Sequence, residues 1–492
     1  MLKRSHLWGQ PLLMLLLWVG VPFPQTKDGT NLNIILAQNQ DSRSICPNEL
    51  APEIKKIIQR PDMARSHWGI LIQPIHSDLN LYALNSEKFF TPASNIKLLT
   101  TAAALLEFGS QFQIRTSIYS QGDTPNLQTL RLVGQGDPTI TTDTLKTLAQ
   151  QLKQQGIQQI EKLLIQDGYF KNSGIPPMWE WDDLFFSYGV PANSFVLNEN
   201  AFKLILTPTQ VGQPVKITWS DPIAAKQWQI ENSTTTTDST TDNTISIQGY
   251  FAQSRLMIRG QLGNDLTGEQ ETIAIINPTQ YFIDTLAQVL ETEGITVKQK
   301  QIISEPSSNN SEQEIAVLTS PPLENIIKTV NHESHNLYAE TLFKLLEVQS
   351  NEPQTSILQK QLTQLGINSN TYKLVDGSGL SRHNLATPEA FVLLLQKMSQ
   401  TPQGEVYRNS FAVGGVNGTL ANRFKDTPMQ GKIQAKTGSL SGVSALSGYV
   451  DISDDETLVF SIMVNTSEQP NTNLRQGIDQ IILLLGQLKK CS

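Results

Sequence analysis

The sequence predicts an α+β protein whose folded domain is interrupted by a long β-rich insertion. Near the start, apolar residues at helical spacing are followed by two short segments typical of a β-hairpin. Residues 114–314 then contain short strand-like segments separated by turn residues. Helical patterns return after residue 314, followed by strand-like segments and a last helix. We therefore expect one domain built from residues 46–113 and 315–492, with residues 114–314 inserted into it.

The individual elements support this division. The first part is predicted to contain a helix over residues 47–60, strands over 68–74 and 80–85, and a helix that begins near residue 92. The second part is predicted to contain helices over 323–330, 336–348 and 387–399, strands over 432–436, 445–452 and 457–464, and a last helix over 474–488. The apolar stripe of that last helix is expected to pack on a sheet, and the alternative is that it lies on a membrane.

The insertion contains strand-like segments and long polar tracts. Residues 131–136 and 162–167 are predicted to be strands. The Ser/Thr-rich tract 231–243 is expected to be a solvated loop between strands, with no role in a site.

The size and net charge of the chain limit the classes of function that it can have. A chain of 492 residues can form more than one domain with a sizeable core. Its net charge of −8 argues against nucleic acid or an anionic membrane as the main partner.

The N-terminus has the pattern of a secretory signal. Lys3, Arg4 and His6 form a basic start, and an apolar run over residues 11–21 is short for a membrane span. We expect a cleaved signal peptide over residues 1–25, with an uncleaved anchor as the alternative, and a polar segment over 26–45. The protein would then be exported to the periplasm, either free or peripherally associated with a membrane.

The two cysteines, Cys46 and Cys491, lie near the two ends of the exported chain. In an exported protein this placement favours a disulfide that ties the termini together, and the alternative is two unpaired thiols.

The first candidate catalytic group is Ser94, in an S-x-x-K pattern with Lys97. Pro92 followed by an Ala/Leu-rich run is typical of the start of a buried helix. Ser94 and Lys97 would then share one helix face. A largely buried amine can take the proton of a serine hydroxyl, so the pattern indicates a serine acyl-transfer enzyme.

Two further motifs complete the candidate site. Ser334-His335-Asn336 is an S-x-N before an amphipathic helix, and Lys436-Thr437-Gly438 is a K-T-G beside strand-like sequence. This trio occurs in penicillin-binding proteins and class A β-lactamases. His332 and His335 lack further metal ligands at a suitable spacing, so no metal site is predicted.

The chemistry gives each residue a role. Ser94 would attack the carbonyl, Lys97 would accept its proton, and Ser334 would relay a proton to the leaving amine. Asn336 would bind the substrate amide or fix Lys97. Lys436 and Thr437 would bind a substrate carboxylate. The N–H groups of Ser94 and Ser439 would form an oxyanion hole.

The chain resembles the penicillin-binding D-alanyl-D-alanine carboxypeptidase/endopeptidase family, peptidase family S13, over residues 50–490. Besides the three motifs, the resemblance rests on residues 133–138 (VGQGDP), 179–183 (WEWDD), 376–384 (DGSGLSRHN) and 435–440 (AKTGSL). The distance of about 240 residues between Ser94 and Ser334 is longer than in class A β-lactamases. His335 departs from the Asn or Asp that this family often has at the middle of its S-x-N motif.

The resemblance implies a DD-peptidase/β-lactamase-like transpeptidase domain. Its antiparallel sheet would have five strands and lie between helices, and the insertion would form two small β-rich subdomains. It also implies a serine DD-peptidase that acts on peptidoglycan stem peptides and cross-links through an acyl-enzyme on Ser94. Penicillins would acylate the same serine, and no cofactor would be required.

Two residues within the matching motifs suggest a subsite for diaminopimelate, which ends in one ammonium and one carboxylate. Arg382 would take the carboxylate in a forked contact, and Asp183 would take the ammonium. The alternative is that Arg382 orders its own loop and Asp183 caps a turn.

Together with this subsite, the K-T-G strand gives the predicted substrate-binding set: Lys436, Thr437, Gly438, Ser439, Arg382 and Asp183. Two rival functions remain at this point. One is a β-lactamase or esterase of the same superfamily, and the other is a catalytically silent wall-binding protein. The oligomeric state is not predicted.

Overall fold

The computed structural model describes residues 44–171, 174–176, 178–238, 243–305, 311–350, 354–453 and 456–489. The predicted signal peptide, residues 1–25, and residues 26–43 of the predicted polar segment lie outside these ranges, as does Cys491.

The described residues form α-helices, strands and short 3-10 turns. The helices are α1 (Pro47–Ile58), α2 (Ile96–Phe108), α3 (Thr142–Gln154), α4 (Pro222–Ala225), α5 (Pro278–Thr292), α6 (Leu323–His332), α7 (Asn336–Ser350), α8 (Gln354–Gln364), α9 (Pro388–Ser399), α10 (Gly404–Asn409) and α11 (Asn471–Leu485). The 3-10 turns are Ala93–Asn95, Trp181–Asp183, Ser187–Gly189, Asn198–Asn200, Phe251–Gln253, Ser369–Thr371 and Gly418–Leu420.

The strands are β1 (His67–Pro74), β2 (Tyr82–Leu84), β3 (Arg115–Gln121), β4 (Asn126–Val133), β5 (Gln159–Gln166), β6 (Ala201–Thr207), β7 (Lys216–Trp219), β8 (Gln229–Thr237), β9 (Ser246–Tyr250), β10 (Arg255–Gly263), β11 (Glu269–Ala274), β12 (Thr296–Ile303), β13 (Gln313–Thr319), β14 (Tyr372–Lys373), β15 (Leu385–Ala386), β16 (Ala412–Val413), β17 (Ile433–Leu440), β18 (Val443–Ser453) and β19 (Glu456–Asn465).

The main domain is an antiparallel sheet between two layers of helices, which confirms the predicted fold class. Its strands follow the order β16-β17-β18-β19-β1-β2, so N-terminal strands complete a sheet made mostly by C-terminal ones. Leu71, Tyr449 and Met463 on one face join the core formed with α2 and α6 to α9. Ile70 and Phe460 on the other face pack with α1 and α11. The sheet has six strands where five were expected, because the two-residue strand β16 pairs with β17.

The insertion contains more helix than the sequence patterns indicated. A five-stranded sheet, β12-β5-β4-β3-β13, includes parallel pairs, and α3 and α5 share its core. Two three-stranded sheets, β8-β10-β9 and β11-β6-β7, form the rest. Strand β13 runs from Gln313 to Thr319, so the expected boundary at residue 314 falls within it.

The Ser/Thr-rich tract predicted to be a loop is largely strand β8, so that prediction was wrong. Strand β8 pairs in parallel with β10, and Thr234 and Thr236 are buried. Threonine is β-branched and fits a pleated sheet, so a run of threonines is compatible with a strand despite its polarity.

The last helix packs in the core, as predicted. Leu474, Ile478, Ile481 and Leu485 of α11 are fully buried. None of the helices in the described ranges has the length and apolar character needed to cross a membrane.

Candidate active site

Ser94 lies in a 3-10 turn at the start of a buried helix. The turn, Ala93–Asn95, runs directly into α2, whose residues from Ile96 to Leu105 are all buried. Lys97 follows one turn after Ser94, and its side chain is fully buried. Lys97 Nζ lies 3.0 Å from Ser94 Oγ. The local sequence thus places an amine against the serine hydroxyl.

Burial changes the chemistry of Lys97. Its Nζ donates to Asn336 Oδ1 and to the carbonyl of Ser378, both at 2.6 Å. Desolvation lowers the pKa of Lys97 to about 7, while the nearby charges of Asp376 and Glu340 act in the opposite direction. A large fraction of the amine is therefore neutral near pH 7 and able to accept a proton.

Ser334 of the S-x-N motif and Lys436 of the K-T-G motif are also in contact. Lys436 Nζ donates to Ser334 Oγ at 2.7 Å and to the Thr437 carbonyl at 2.8 Å. Burial, reinforced by the charge of Lys97, lowers the pKa of Lys436. Ser334 has a φ of 65°, a backbone conformation that non-glycine residues seldom adopt. The two amines and two hydroxyls therefore form two hydrogen-bonded pairs, and the two amines are close enough for the charge of Lys97 to act on Lys436.

The K-T-G strand forms the wall beside Ser94. A Cβ atom at Gly438 would lie 2.6 Å from the carbonyl oxygen of Pro92, so the approach of β17 to the Ser94 turn requires glycine. Thr437 Oγ1 donates to Thr419 Oγ1 at 3.0 Å, and Ser439 is exposed. Strand β16 pairs with β17 only at Gln434 and Ala435, and among the described residues no other strand covers that edge of β17.

A loop after α8 is held rigidly by the buried carboxylate of Asp376. This carboxylate accepts the N–H groups of Gly379 and Ser381, both at 2.7 Å. It also accepts Asn384 Nδ2 at 2.8 Å and Trp179 Nε1 at 2.9 Å. Trp179 belongs to the insertion, so the insertion helps to fix this loop.

A second buried carboxylate, Glu340, holds the same loop from the other side. Its Oε1 accepts the N–H groups of Gly377 at 3.0 Å and Ser378 at 2.8 Å. The carbonyl of Ser378 in turn accepts from Lys97. Burial and the charge of Asp376 raise the pKa of Glu340. Glu340 could not be identified from the sequence, where the one signal is a carboxylate among the apolar residues of the first turns of α7.

Arg382 and Asp183 lie in the same region but are not paired with each other. Arg382 Nε donates to Glu180 Oε1 at 2.8 Å, and its Nη1 donates to the Ser441 carbonyl at 3.0 Å. Asp183 is half-buried and hydrogen-bonded to Tyr188, and burial is the main cause that raises its pKa. The charge of Arg382 acts against this rise. Glu180 was not identified from the sequence.

The insertion also contacts the S-x-N motif. Asn336 Nδ2 donates to the carbonyl of Tyr188 at 2.8 Å. His335 Nε2 lies 3.2 Å from Glu199 Oε2, and this contact is the main cause that lowers the pKa of Glu199. Tyr188 and Glu199 are therefore parts of the site that the sequence motifs do not reveal.

No metal site emerges from the part of the chain that the structure describes. There, no three His, Cys, Asp or Glu side chains are grouped so as to hold a metal ion.

The predicted catalytic residues converge, and the other predicted residues lie around them. The centre consists of two hydrogen-bonded groups, Lys97 with Ser94 and Asn336, and Lys436 with Ser334. A serine hydroxyl in contact with an amine whose pKa is near neutral is the arrangement of a serine acyl-transfer enzyme with a lysine base.

Comparison with known proteins identifies the family. The chain belongs to the D-Ala-D-Ala carboxypeptidase 3 (S13) family, whose model matches residues 50–484. It is thus a serine-type D-Ala-D-Ala carboxypeptidase, a hydrolase.

Two curated relatives match most of the chain. "Penicillin-sensitive carboxypeptidase A" of Dictyostelium discoideum is 29% identical over 458 residues, covering 85% of this chain and 87% of the relative. "D-alanyl-D-alanine carboxypeptidase" of Actinomadura sp. strain R39 is 28% identical over 444 residues, covering 86% and 82%.

A solved structure shares the whole architecture. Penicillin-binding protein 4 (dacB) from Haemophilus influenzae superposes with a TM-score of 0.76 at 25% identity, covering 88% of this chain and 98% of that one. The long insertion is therefore part of the shared fold.

Proposed function

We propose that this carboxypeptidase removes the terminal D-Ala of peptidoglycan stem peptides through an acyl-enzyme on Ser94. We further propose that it cleaves cross-links in which D-Ala is joined to a diamino acid. The observation that carries the proposal is the position of Lys97 Nζ, which touches Ser94 Oγ and Asn336 Oδ1 with a pKa near 7.

The first half of the reaction forms an ester. Ser94 Oγ bonds to the carbonyl carbon of the penultimate D-Ala while its proton passes to Lys97 Nζ. The N–H groups of Ser94 and Ser439 stabilise the oxyanion. The C–N bond then breaks and the leaving nitrogen keeps the electron pair. The proton held by Lys97 passes to that nitrogen through Ser334, which returns Lys97 to its neutral form.

The second half of the reaction is hydrolysis. Water attacks the ester as Lys97 accepts its proton, and the proton returns to Ser94 Oγ when the peptide carboxylate leaves. Lys436 and Thr437 bind the terminal carboxylate of the substrate. That negative charge favours the protonated form of Lys436, which offsets the effect of its burial.

The reaction is tested with a peptide that ends in D-Ala-D-Ala and with a penicillin. We expect stoichiometric D-Ala release from the peptide, and a penicilloyl mass adduct that maps to Ser94 after digestion. A peptide ending in L-Ala-L-Ala is the matched control. Rapid nitrocefin hydrolysis without D-Ala release would instead indicate a β-lactamase, and binding to peptidoglycan without either reaction would indicate a silent wall-binding protein.

We also propose that Arg382 and Asp183 bind the diamino acid of the stem peptide. Arg382 is held by Glu180 and the Ser441 carbonyl, next to the end of β17, and a substrate carboxylate can add to this arrangement or replace Glu180. Asp183→Ala should reduce kcat/KM for diaminopimelate peptides by about tenfold, the value of one charge-assisted hydrogen bond. Peptides with a neutral side chain at that position should be unaffected, and equal losses for both would reject the subsite.

Finally, we propose export to the periplasm with removal of the signal peptide, and a disulfide between Cys46 and Cys491. In support, the two termini meet: the N–H of Ile45 donates to the Gln487 carbonyl at 2.9 Å, and the N–H of Lys489 donates to the Ile45 carbonyl at 3.1 Å. The intact mass of protein recovered from the periplasm checks both points. An uncleaved N-terminus or two alkylatable thiols would contradict them.

A further inference from the structure

A polar cavity of ≈ 690 Å³ is lined by Arg382 and by Ser441 and Gly442, which directly follow β17. Its walls come from the segment after α1, from the turn between β17 and β18, and from the segment after β19. The volume lies within the range of about 300–1,000 Å³ typical of small-ligand sites. The function proposed above uses Arg382 at the edge of this cavity and assigns no role to the rest of it.

The walls of the cavity are fixed by hydrogen bonds, so the site is preformed. Asn465 bridges the segment that leads to Ser94: its Oδ1 accepts the N–H of Thr91 at 2.7 Å, and its Nδ2 donates to the Thr91 carbonyl at 3.1 Å. Ser66 Oγ donates to Ser467 Oγ at 2.9 Å and joins two other walls. A ligand held here would therefore be held at a fixed distance from the nucleophile.

In the binding mode proposed above, the substrate runs toward this cavity. The proposed carboxylate-binding residues, Lys436 and Thr437, lie before Gly438 on β17, and Gly438 adjoins the Ser94 turn. Residues on the N-terminal side of the scissile bond then extend along β17 toward Ser441 and Gly442. With about 3.3 Å per residue, an extended peptide passes Ser441 within a few residues of the scissile bond. Both Ser441 and Gly442 line the cavity.

The charged groups of the cavity define what it can bind. Arg65 is exposed and, among the described residues, has no hydrogen-bond or ion-pair partner. Arg382 is paired with Glu180 and is assigned above to the carboxylate of the diamino acid. Of the two acids that line the cavity, Asp62 lies 3.5 Å from Arg60, and Glu468 can accept peptide N–H groups. The walls therefore suit a polar peptide that carries a carboxylate opposite Arg65.

We infer that this cavity is a subsite for the stem peptide upstream of the diamino acid, and that Arg65 binds a free carboxylate there. A γ-linked glutamate keeps its α-carboxylate free and has this chemistry. The inference rests on the proposed function. It makes Arg65 a specificity-determining residue that distinguishes an acidic stem from one whose carboxylate is amidated.

The test compares three synthetic substrates that all end in diaminopimelyl-D-Ala-D-Ala. The first continues upstream with γ-D-Glu and L-Ala, the second has the glutamate carboxylate amidated, and the third lacks both residues. We expect kcat/KM of the wild-type protein to be about fivefold higher for the acidic substrate than for the amidated one, as for an exposed ion pair. Arg65→Ala should abolish this preference and leave the truncated substrate unaffected, and Arg65→Glu should reverse it.

Arg259→Ala is the matched control, because Arg259 is also exposed but lies on β10 of the insertion. The inference fails if Arg65→Ala leaves the ratio of acidic to amidated substrate unchanged, or lowers cleavage of all three equally. If D-Ala is released from none of the three by the wild-type protein, the proposed function itself fails. The two failures are thus distinguished in one set of measurements.

Discussion

Lys97→Met should lower the rate at which a penicillin acylates Ser94 by about 10³-fold, the contribution typical of a positioned general base. Lys97 Nζ is the amine in contact with Ser94 Oγ, and its burial lowers the pKa of Lys97 to about 7. Methionine fills a similar volume without an amine. Stopped-flow acylation measures the rate, and Ser94→Ala gives the baseline of no acylation.

The pH dependence provides an independent check on the same group. Lys97 acts as a base only when neutral, so acylation of the wild-type protein should rise with pH and level off above about 7. The residual acylation rate of Lys97→Met should not show this rise with pH. If Lys97→Met keeps more than a tenth of the wild-type acylation rate, with the same rise between low pH and about pH 7, another group is the base. A control, Lys436→Met, should raise KM for peptides and retain a rising limb.

The three motifs could be predicted because each is local in sequence. Ser94 and Lys97 are one helical turn apart, so their contact follows from the helix itself. The glycine of the K-T-G motif is likewise explained by one close approach, to the carbonyl of Pro92. The fold class followed from the order of helical and strand-like segments, which hydrophobic periodicity indicates well.

The supporting residues could not be predicted, because their contacts join distant parts of the chain. Glu340 reaches the loop at Gly377 and Ser378 only in the folded protein. The Tyr188 carbonyl has no side-chain signal at all, although it accepts from Asn336. Strand β8 was missed because a polar Thr-rich tract was expected to be a loop. Tertiary pairing with β10 decides its conformation.

Substitution of Glu340 should have the second large effect on acylation, because this carboxylate both holds the loop and influences the charge state of Lys97. Its Oε1 accepts two backbone N–H groups of the loop whose Ser378 carbonyl accepts from Lys97 Nζ. Its negative charge also raises the pKa of Lys97 against the effect of burial. The geometric and electrostatic roles can be separated, because glutamine keeps the carbonyl oxygen and removes the charge.

Glu340→Gln should therefore fold normally. The pH at which its acylation rate rises should be lower by up to about one pH unit, which corresponds to about 1.4 kcal/mol of interaction between the charges of Glu340 and Lys97. Glu340→Ala should leave two buried N–H groups without an acceptor, which costs about 1–3 kcal/mol each in the free energy of unfolding. Its acylation rate should also fall, because the Ser378 carbonyl is no longer fixed. Urea unfolding and pH-dependent stopped-flow acylation measure the two effects. An unchanged pH profile in the glutamine variant would mean that Glu340 carries no charge where Lys97 titrates and acts only through the position of the loop.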